Sequence, residues 1–247
     1  MSGSTLEPGA SKIKMSVMRI SAIIPTLNEE ASIQGLVKFI LMQGTPTMTE
    51  VIVVDGGSTD NTVAYAKASG ANVMVCDKTS RASQLNLGAD AANGELLYFV
   101  HADVKPAGSF VDDIFQAYRE GYEAGCYRFK FDSSKLLLKI NSHFTRFPAI
   151  MCRGGDQTLF ITKDLFSRIG GFNEYYTIME DYDLIQRIQK NARFKVIPKN
   201  VLVSARKYEH NSWLRVQVAN LVVFMMYLMN YEPSRMKRTY EKMLNYR

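Results

Sequence analysis

The fold is decided by the stretch Val51-Ile52-Val53-Val54-Asp55-Gly56-Gly57-Ser58-Thr59-Asp60-Asn61-Thr62. Its first four residues form an apolar run too short for a buried helix, which favours a parallel strand covered on both faces. Gly56-Gly57 lets the backbone turn close to a ligand, and Ser58 or Asp60 can cap a helix that begins near Thr62. Ligands of open α/β sheets bind outside the carboxyl ends of the strands, so Asp55 is interpreted as facing a ligand. The alternative is that Asp55 only accepts hydrogen bonds from amides of its own loop.

Strands and helices alternate on both sides of this stretch. Strands are predicted over 19–25, 50–54, 71–76 and 95–100, with helices over 31–41, 62–69 and 80–92 between them. Such alternation is typical of a doubly wound, mainly parallel α/β sheet. Further helices are predicted over 108–120, 136–147, 163–169 and from 180 onward, and further strands over 125–131, 158–161 and 194–197. Polar residues follow three strands, at 25–28, 55–57 and 101–103, so we expect these loops to meet along one crevice.

The composition of the 247 residues is that of a globular protein, with 47% hydrophobic and 22% charged residues. The chain carries 30 Lys and Arg against 24 Asp and Glu, and this net charge of +6 can attract phosphates or an anionic membrane surface. The sequence matches no nucleic-acid-binding module, so nucleic acid is not expected as a partner. Three widely spaced cysteines without a CxxC pair predict buried thiols in a reducing compartment, and hence a cytoplasmic protein.

Three segments are predicted along the chain. Residues 1–17 lack the apolar core of a signal peptide and are interpreted as a disordered lead or an expression remnant. Residues 18–205 form the α/β domain, and residues 206–247 form a C-terminal helical extension. The extension is apolar over 213–231, and basic residues follow at 235–238 and 242.

The apolar part of the extension is barely long enough to span a bilayer, and Gln217 and Asn220 interrupt it. We favour a helix that packs on the domain or at a homodimer interface. The alternative is a membrane-surface helix with a basic flank, in contact through 213–242 with the inner face of the cell membrane.

The tripeptide His101-Ala102-Asp103 follows the fourth predicted strand. Asp103 can bind a hard divalent cation, which prefers oxygen ligands. His101 lies on the same side of an extended chain and can join the metal ligands, more readily for manganese than for magnesium, or donate to a phosphate. The alternative is that both residues cap the ends of secondary structure.

Acidic residues open the helix predicted from residue 180. Either Glu180 or Asp181 can serve as a general base that takes a proton from an acceptor hydroxyl. Neighbouring side chains on a helix diverge, so one of the two is expected to face the crevice. The alternative is an acidic helix start that only compensates the helix dipole.

Basic residues are available for a phosphate-bearing ligand. Arg81, one turn before Gln84, can pair with a phosphate or a base carbonyl, or stay solvated. Arg128, Lys130 and Arg153 are further candidates for contact with an anionic acceptor, with a solvated surface role as the alternative for each.

Five motifs in the observed order resemble family 2 glycosyltransferases, over roughly residues 19–200. They are Ile23-Ile24-Pro25-Thr26-Leu27-Asn28-Glu29, Val53-Val54-Asp55-Gly56-Gly57-Ser58-Thr59-Asp60, Arg81-Ala82-Ser83-Gln84-Leu85-Asn86-Leu87-Gly88-Ala89, His101-Ala102-Asp103 and Glu180-Asp181. His101-Ala102-Asp103 replaces the usual Asp-x-Asp, and together with Gly154-Gly155-Asp156-Gln157 it is similar to a prokaryotic subgroup of this family.

The resemblance implies a GT-A fold, a nucleotide-sugar donor and inversion at the anomeric carbon. It implies that Asp103 holds a divalent metal, Mn2+ or Mg2+, which bridges the donor diphosphate, and that Asp181 is the catalytic base. It also implies a nucleotide pocket, with Asp55 on the base, usually uracil, that includes Pro25, Thr26, Asn28, Glu29, Gly56, Gly57, Arg81, Gln84, Asp156 and Gln157. The apolar tail resembles those of enzymes with lipid-linked acceptors.

Two other functions are weighed against glycosyl transfer. A nucleotidyltransferase would need a basic, glycine-rich loop after the first strand to hold a triphosphate, and residues 25–29 contain neither Gly nor Lys or Arg. A non-catalytic nucleotide-sugar-binding protein is compatible with the loss of one metal-binding Asp and with the apolar tail.

Overall fold

The computed structural model describes residues 18–44, 49–78, 80–147 and 149–244. The predicted lead over 1–17 lies outside these residues. The described residues form one eight-stranded sheet. Its strands are β1 (Ile20–Thr26), β2 (Thr49–Asp55), β3 (Asn72–Val75), β4 (Leu96–Phe99), β5 (Val104–Lys105), β6 (Ala124–Phe131), β7 (Leu159–Thr162) and β8 (Phe194–Val203).

The sheet is mixed, with strand order β3-β2-β1-β4-β7-β6-β8-β5. The first four strands in this order are parallel, as the alternation of strands and helices predicted. β7 runs antiparallel to both β4 and β6, whereas β6 and β8 are parallel. The two-residue strand β5, which pairs with β8, was not predicted. The sequence prediction of β8 was also too short, since the strand continues from 197 to Val203 past Pro198.

The helices occupy both faces of the sheet, as the doubly wound prediction requires. They are α1 (Glu30–Gln43), α2 (Thr62–Ala68), α3 (Arg81–Ala91), α4 (Phe110–Arg119), α5 (Leu136–Phe144), α6 (Lys163–Arg168), α7 (Glu180–Asn191), α8 (Trp213–Leu228) and α9 (Pro233–Met243). α5 ends three residues earlier than predicted, and the extension contains two helices.

Alternate residues of the central strands face two separate hydrophobic cores. Val51 and Val53 of β2 pack with α1 and α4 on one face, whereas Ile52 and Val54 pack with α3, α6 and α7 on the other. All four side chains are at most 2% exposed. A strand that is buried on both faces has an uninterrupted run of apolar residues in its sequence. This is why residues 51–54 indicated a parallel strand covered on both faces.

The C-terminal extension packs on the domain through one face of α8. Val223 and Tyr227 pack with Met236 of α9 and with Tyr182 of α7, and the Tyr227 hydroxyl donates to Gln186 Oε1 at 3.1 Å. The extension therefore contacts α7 of the α/β fold through α8. Within the described ranges, no helix combines the length and the apolar character needed to cross a bilayer.

Candidate active site

The loop after β2 holds the Asp55 carboxylate almost entirely inside the protein, with 2% of the residue exposed. Asp55 Oδ2 accepts hydrogen bonds from the amides of Gly57 at 3.0 Å and Ser58 at 2.8 Å, and Oδ1 accepts one from Thr26 Oγ1 at 3.2 Å. Gly57 has φ +95°, which a residue without a Cβ adopts at little cost. These contacts match the alternative in which Asp55 stabilises its own loop, and a contact with a nucleobase stays a prediction.

The loops after β1 and β2 are joined by hydrogen bonds. Asn28 Oδ1 accepts from the amide of Thr59 at 2.8 Å, and the Asn28 amide donates to Ser58 Oγ at 2.8 Å. Asn28 has φ 55°, in the left-handed region that Asn tolerates better than most residues. Just before helix α2, Asp60 Oδ1 accepts from the Thr62 amide at 2.9 Å, but the residue at the N-cap position is Asn61, so neither predicted cap, Ser58 or Asp60, occupies it. Two of the three loops predicted to meet therefore do so.

Gln84 and Gly56 lie beneath these loops. Gln84 is 7% exposed, and its Nε2 donates to the carbonyls of Thr26 at 2.9 Å and Val54 at 2.8 Å. Gln84 thus joins the carboxyl ends of β1 and β2 from below. A Cβ on Gly56 would lie 3.0 Å from Gln84 Nε2, so this glycine permits the close approach. Contact of Gln84 with the nucleotide stays a prediction.

The third loop, after β4, brings His101 to an acidic cluster. His101 Nδ1 lies 3.7 Å from Asp156 Oδ1. A Cβ placed on Gly155 would overlap both the His101 ring and Asp181 Oδ2, so both groups press against the bare Gly155 backbone. Residues 101, 156 and 181, which are far apart in the chain, therefore form one site, which we call the His–Asp cluster.

The charges in the His–Asp cluster shift one another's pKa values. Burial, and then the negative charge of Glu180, raise the pKa of Asp181 to about 6. Burial and the charge of Arg81 work against protonation of His101, but Asp156 and Asp181 outweigh them and raise the pKa of His101 above its ordinary value. Partial burial likewise opposes ionisation of Asp156, whose side chain is 45% exposed, but the adjacent His101 lowers the pKa of Asp156 to about 2. The cluster thus contains a carboxyl group that titrates close to neutral pH.

The first turn of α7 separates the two adjacent acids, as helix geometry predicted. Glu180 is 3% exposed and its Oε1 lies 3.2 Å from Arg81 Nη1, whereas Asp181 faces the His–Asp cluster. Asp183 pairs with Arg187 of the same helix at 2.6 Å. Of these acids, only Asp181 belongs to the His–Asp cluster, and Glu180 holds Arg81 beside it.

Arg206 was not singled out by the sequence analysis. It opens a 3-10 turn, Arg206–Tyr208, after β8, and its Nη2 lies 3.1 Å from Glu29 Oε1 and 3.8 Å from Asp103 Oδ2. One guanidinium thus connects the loop after β1 with the loop after β4. Residues that follow a strand at the carboxyl edge of an open α/β sheet lie near the ligand site. Arg206 could therefore have been predicted as a site residue only if the end of β8 had been assigned correctly.

The partly exposed carboxylate of Asp103 is suited to bind a metal ion whose other ligands come mainly from the substrate. Its side chain is 34% exposed, and in phosphate-transfer sites Mg2+ is held by one or two carboxylates together with phosphate oxygens. In the described part of the chain, no group of three or more His, Cys, Asp or Glu side chains could hold a metal without such help. His101 must lose its proton before it can bind a metal, so its role as a ligand stays a prediction.

Several predicted residues lie away from the His–Asp cluster. Gln157 is 1% exposed, and its Nε2 lies 3.4 Å from the carbonyl of Thr145. Arg153 is 3% exposed and donates to that carbonyl at 2.7 Å and to the carbonyl of Phe147. The surface interpretation of Arg153 was wrong, because its charge stabilises the backbone between α5 and β7. Binding by Gln157 stays a prediction.

The described fold and site define an α/β protein with a charged ligand site beyond the carboxyl ends of its strands. The sequence profile of glycosyl transferase family 2 matches residues 21–174. The chain belongs to this family and is a glycosyltransferase. Membership confirms the predicted enzyme class and decides against nucleotidyl transfer.

Individual relatives agree with this assignment. A PGL/p-HBAD biosynthesis glycosyltransferase of Mycobacterium tuberculosis is 26% identical over 215 aligned positions, which cover 77% of each chain. Among solved structures, a mannosyltransferase from Pyrobaculum calidifontis in complex with GDP-Man and Mn2+ has a TM-score of 0.66 at 20% identity, covering 92% of this chain and 69% of that one. Glucosyl-3-phosphoglycerate synthase from M. tuberculosis, in complex with Mn2+, UDP and glucosyl-3-phosphoglycerate, has a TM-score of 0.59 at 20% identity, covering 83% and 79%. These similarities confirm the predicted GT-A type of fold.

Proposed function

We propose that the protein is an inverting glycosyltransferase that moves a sugar from a nucleotide-diphosphate donor, a UDP-sugar, to a hydroxyl or phosphate acceptor. Asp181 is the general base. It takes the proton of the acceptor hydroxyl while the acceptor oxygen bonds to the anomeric carbon and the bond from that carbon to the diphosphate breaks. The nucleoside diphosphate leaves from the opposite side of the sugar, which inverts the anomeric configuration.

The observation that carries this proposal is the position of Asp181 in the His–Asp cluster. A general base acts best when its pKa lies near the working pH, and burial together with Glu180 raises the pKa of Asp181 to about 6. The positive charges of His101 and Arg81 lower the pKa of Asp181 and so favour its ionised form near neutral pH. In the proposed reaction, their positive charge would offset the negative charge that develops on the departing diphosphate.

The donor is proposed to lie between the joined loops and the His–Asp cluster. Relatives of similar fold hold GDP-Man or UDP together with Mn2+, which supports a nucleotide donor here. Asp103 would hold Mn2+ or Mg2+ together with the donor diphosphate, and such a cation offsets negative charge on the leaving group. The interpretation of His101-Ala102-Asp103 as the mark of a prokaryotic subgroup is part of this proposal.

The C-terminal extension is proposed to serve packing and assembly. The exposed face of α8 carries apolar side chains at intervals of three and four residues, namely Leu214, Val218, Leu221, Met225 and Leu228, which are 42% to 64% exposed. This spacing is that of a helix seam that pairs with another helix. It supports the homodimer interface predicted for 206–247, separate from the 18–205 domain.

The proposal is tested with Asp181→Asn and a panel of UDP- and GDP-sugars. We expect the variant to bind nucleoside diphosphate with the affinity of the wild type, measured by calorimetry with Mn2+. Sugar transfer should fall by roughly 10²- to 10⁴-fold, the usual contribution of a general base. Unchanged turnover would remove Asp181 from this role, and retention of anomeric configuration in the product would overturn the inverting mechanism.

A further inference from the structure

Helix α5 presents an apolar face to solvent. Leu138 is its one buried residue among those described. Leu136 is 71% exposed and Phe144 is 52% exposed, and Leu137 and Ile140 are each more than 40% exposed, as is Phe147 just beyond the end of the helix. Scattered exposed apolar residues need no explanation, whereas a contiguous set on one short helix marks an interaction surface.

The same segment is basic and contains no acid. Between Asp132 and Asp156 the sequence has no Asp or Glu. Lys135, Lys139 and Arg146 are exposed within it. Large apolar side chains with Lys and Arg beside them are typical of a helix that lies in the interface of a membrane. We call this set of apolar and basic side chains the α5 face.

The α5 face continues to the start of α8. A cavity of about 350 Å³ lies between the two helices and is lined by Leu136, Leu137, Tyr208 and Trp213, among others. Tyr208 and Trp213 are only partly exposed and pack against the core, so the cavity connects the α5 face to the start of α8.

The α5 face is also connected to the His–Asp cluster. The 3-10 turn Ile150–Cys152, which follows α5, packs against α7, the helix that carries Asp181. Gly155 and Asp156 follow three and four residues after the end of this turn. The turn that follows the α5 face therefore contacts the helix that carries the proposed base.

We infer that the α5 face docks on an anionic lipid bilayer. Three exposed cations complement the negative surface potential of such a membrane, and the apolar side chains bury in its interface. A second copy of the chain would bring the same cations together across a twofold axis, which is unfavourable. The uncharged seam of α8 is better suited to self-association. The membrane contact predicted for 213–242 is thus assigned instead to 135–147 and the start of α8.

Vesicle sedimentation tests this inference with the full chain and needs no sugar transfer, so its failure is distinct from a failure of the proposed function. Phosphatidylcholine vesicles with and without phosphatidylglycerol are compared. We expect binding to the anionic vesicles to be roughly tenfold or more stronger and to weaken with added salt. Equal binding to both vesicles, or none, would overturn the proposal.

Matched variants locate the contact. Leu136→Ser with Phe144→Ser should abolish binding, and Lys135→Gln with Lys139→Gln should remove the preference for anionic vesicles. The control is Leu221→Ser with Met225→Ser on α8, which removes similar exposed apolar surface and should leave binding intact. A circular dichroism spectrum and a cooperative thermal transition like those of the wild type verify that each variant is folded.

Two outcomes of the variant series would contradict docking through α5. One is loss of binding in the α8 control with retention in the α5 variants. The other is an oligomer that the α5 variants convert to a monomer in size-exclusion chromatography, because the α5 face would then be covered by a second copy.

Discussion

The guanidinium of Arg206 lies 3.1 Å from Glu29 Oε1, although the two residues are 177 positions apart in the chain. The same group lies 3.8 Å from Asp103 Oδ2. A cation is therefore already located between two loops at the carboxyl edge of the sheet. We expect the diphosphate of the proposed donor to take the place of these carboxylates beside the guanidinium.

Arg206→Gln should weaken binding of UDP. The Arg206 side chain is 54% exposed, so its removal should not affect folding, whereas a hydrogen bond to a charged group contributes about 1.5–3 kcal/mol. We expect a roughly 10- to 150-fold higher dissociation constant, measured by calorimetry in the presence of EDTA so that no metal masks the loss. Lys237→Gln on α9 is the control for a lost surface charge. Identical affinities for wild type and Arg206→Gln would exclude Arg206 from the diphosphate site.

Gly155→Ala should inactivate the enzyme, because its new Cβ would overlap the His101 ring and Asp181 Oδ2. The neighbouring Gly154 provides the control, since its φ of 169° is accessible to any residue and a Cβ there meets nothing within 4 Å. Gly154→Ala should keep nearly full turnover. If the two alanine variants had equal activity, the close packing of the His–Asp cluster would be irrelevant to catalysis.

The pH dependence of transfer should have an acid limb near pH 6. Asp181 must be ionised to accept a proton, and its pKa is raised to about 6. Below this pH the rate should fall about tenfold per unit, and above it the rate should level off. Because Glu180 is a cause of the raised pKa, Glu180→Gln should move the acid limb to lower pH. An acid limb that stays in place in this variant would mean that a different group is the base.

The parts of this site that could be predicted from sequence are the loops that follow strands whose ends can be recognised in the sequence. Asp55 and His101 come directly after uninterrupted apolar runs, so their loops could be assigned to one edge of the sheet. Arg206 was missed because β8 contains polar residues and Pro198, and the run that identifies a strand ends at Ile197. The antiparallel direction of β7 could not be predicted either. The strand is only four residues long, and an apolar run of that length does not distinguish antiparallel from parallel pairing.

The orientation of side chains within the motifs was the other part that sequence could not provide. Gln84 lies on the helix that begins with Arg81, and its amide donates to backbone carbonyls of two strands, which the motif does not indicate. Asp55 likewise bonds to its own loop. A sequence motif indicates which residues come together. Which backbone groups their side chains bind depends on distances within the folded protein, and the motif does not contain these.

Two helical glycines should respond in opposite ways to the same substitution. Gly88 of α3 lies against the sheet, where a Cβ would be 2.5 Å from Ile23 Cγ2 and 3.0 Å from Val54 Cγ2. Gly35 of α1 is exposed, and a Cβ there meets nothing within 4 Å. Glycine inside a helix is less favourable than alanine by about 0.5–1 kcal/mol, and overpacking a core costs about 1–3 kcal/mol.

Gly35→Ala should therefore raise the free energy of unfolding by roughly 0.5–1 kcal/mol, whereas Gly88→Ala should lower it because overpacking outweighs the gain in helix propensity. Urea denaturation followed by circular dichroism measures both changes, and an unchanged slope would show that the denatured state is the same. Stabilisation by Gly88→Ala would mean that α3 can move away from β1. The loops after β1 and β2 would then lack the fixed support that Gln84 of the same helix gives them, and a preformed nucleotide pocket would be excluded.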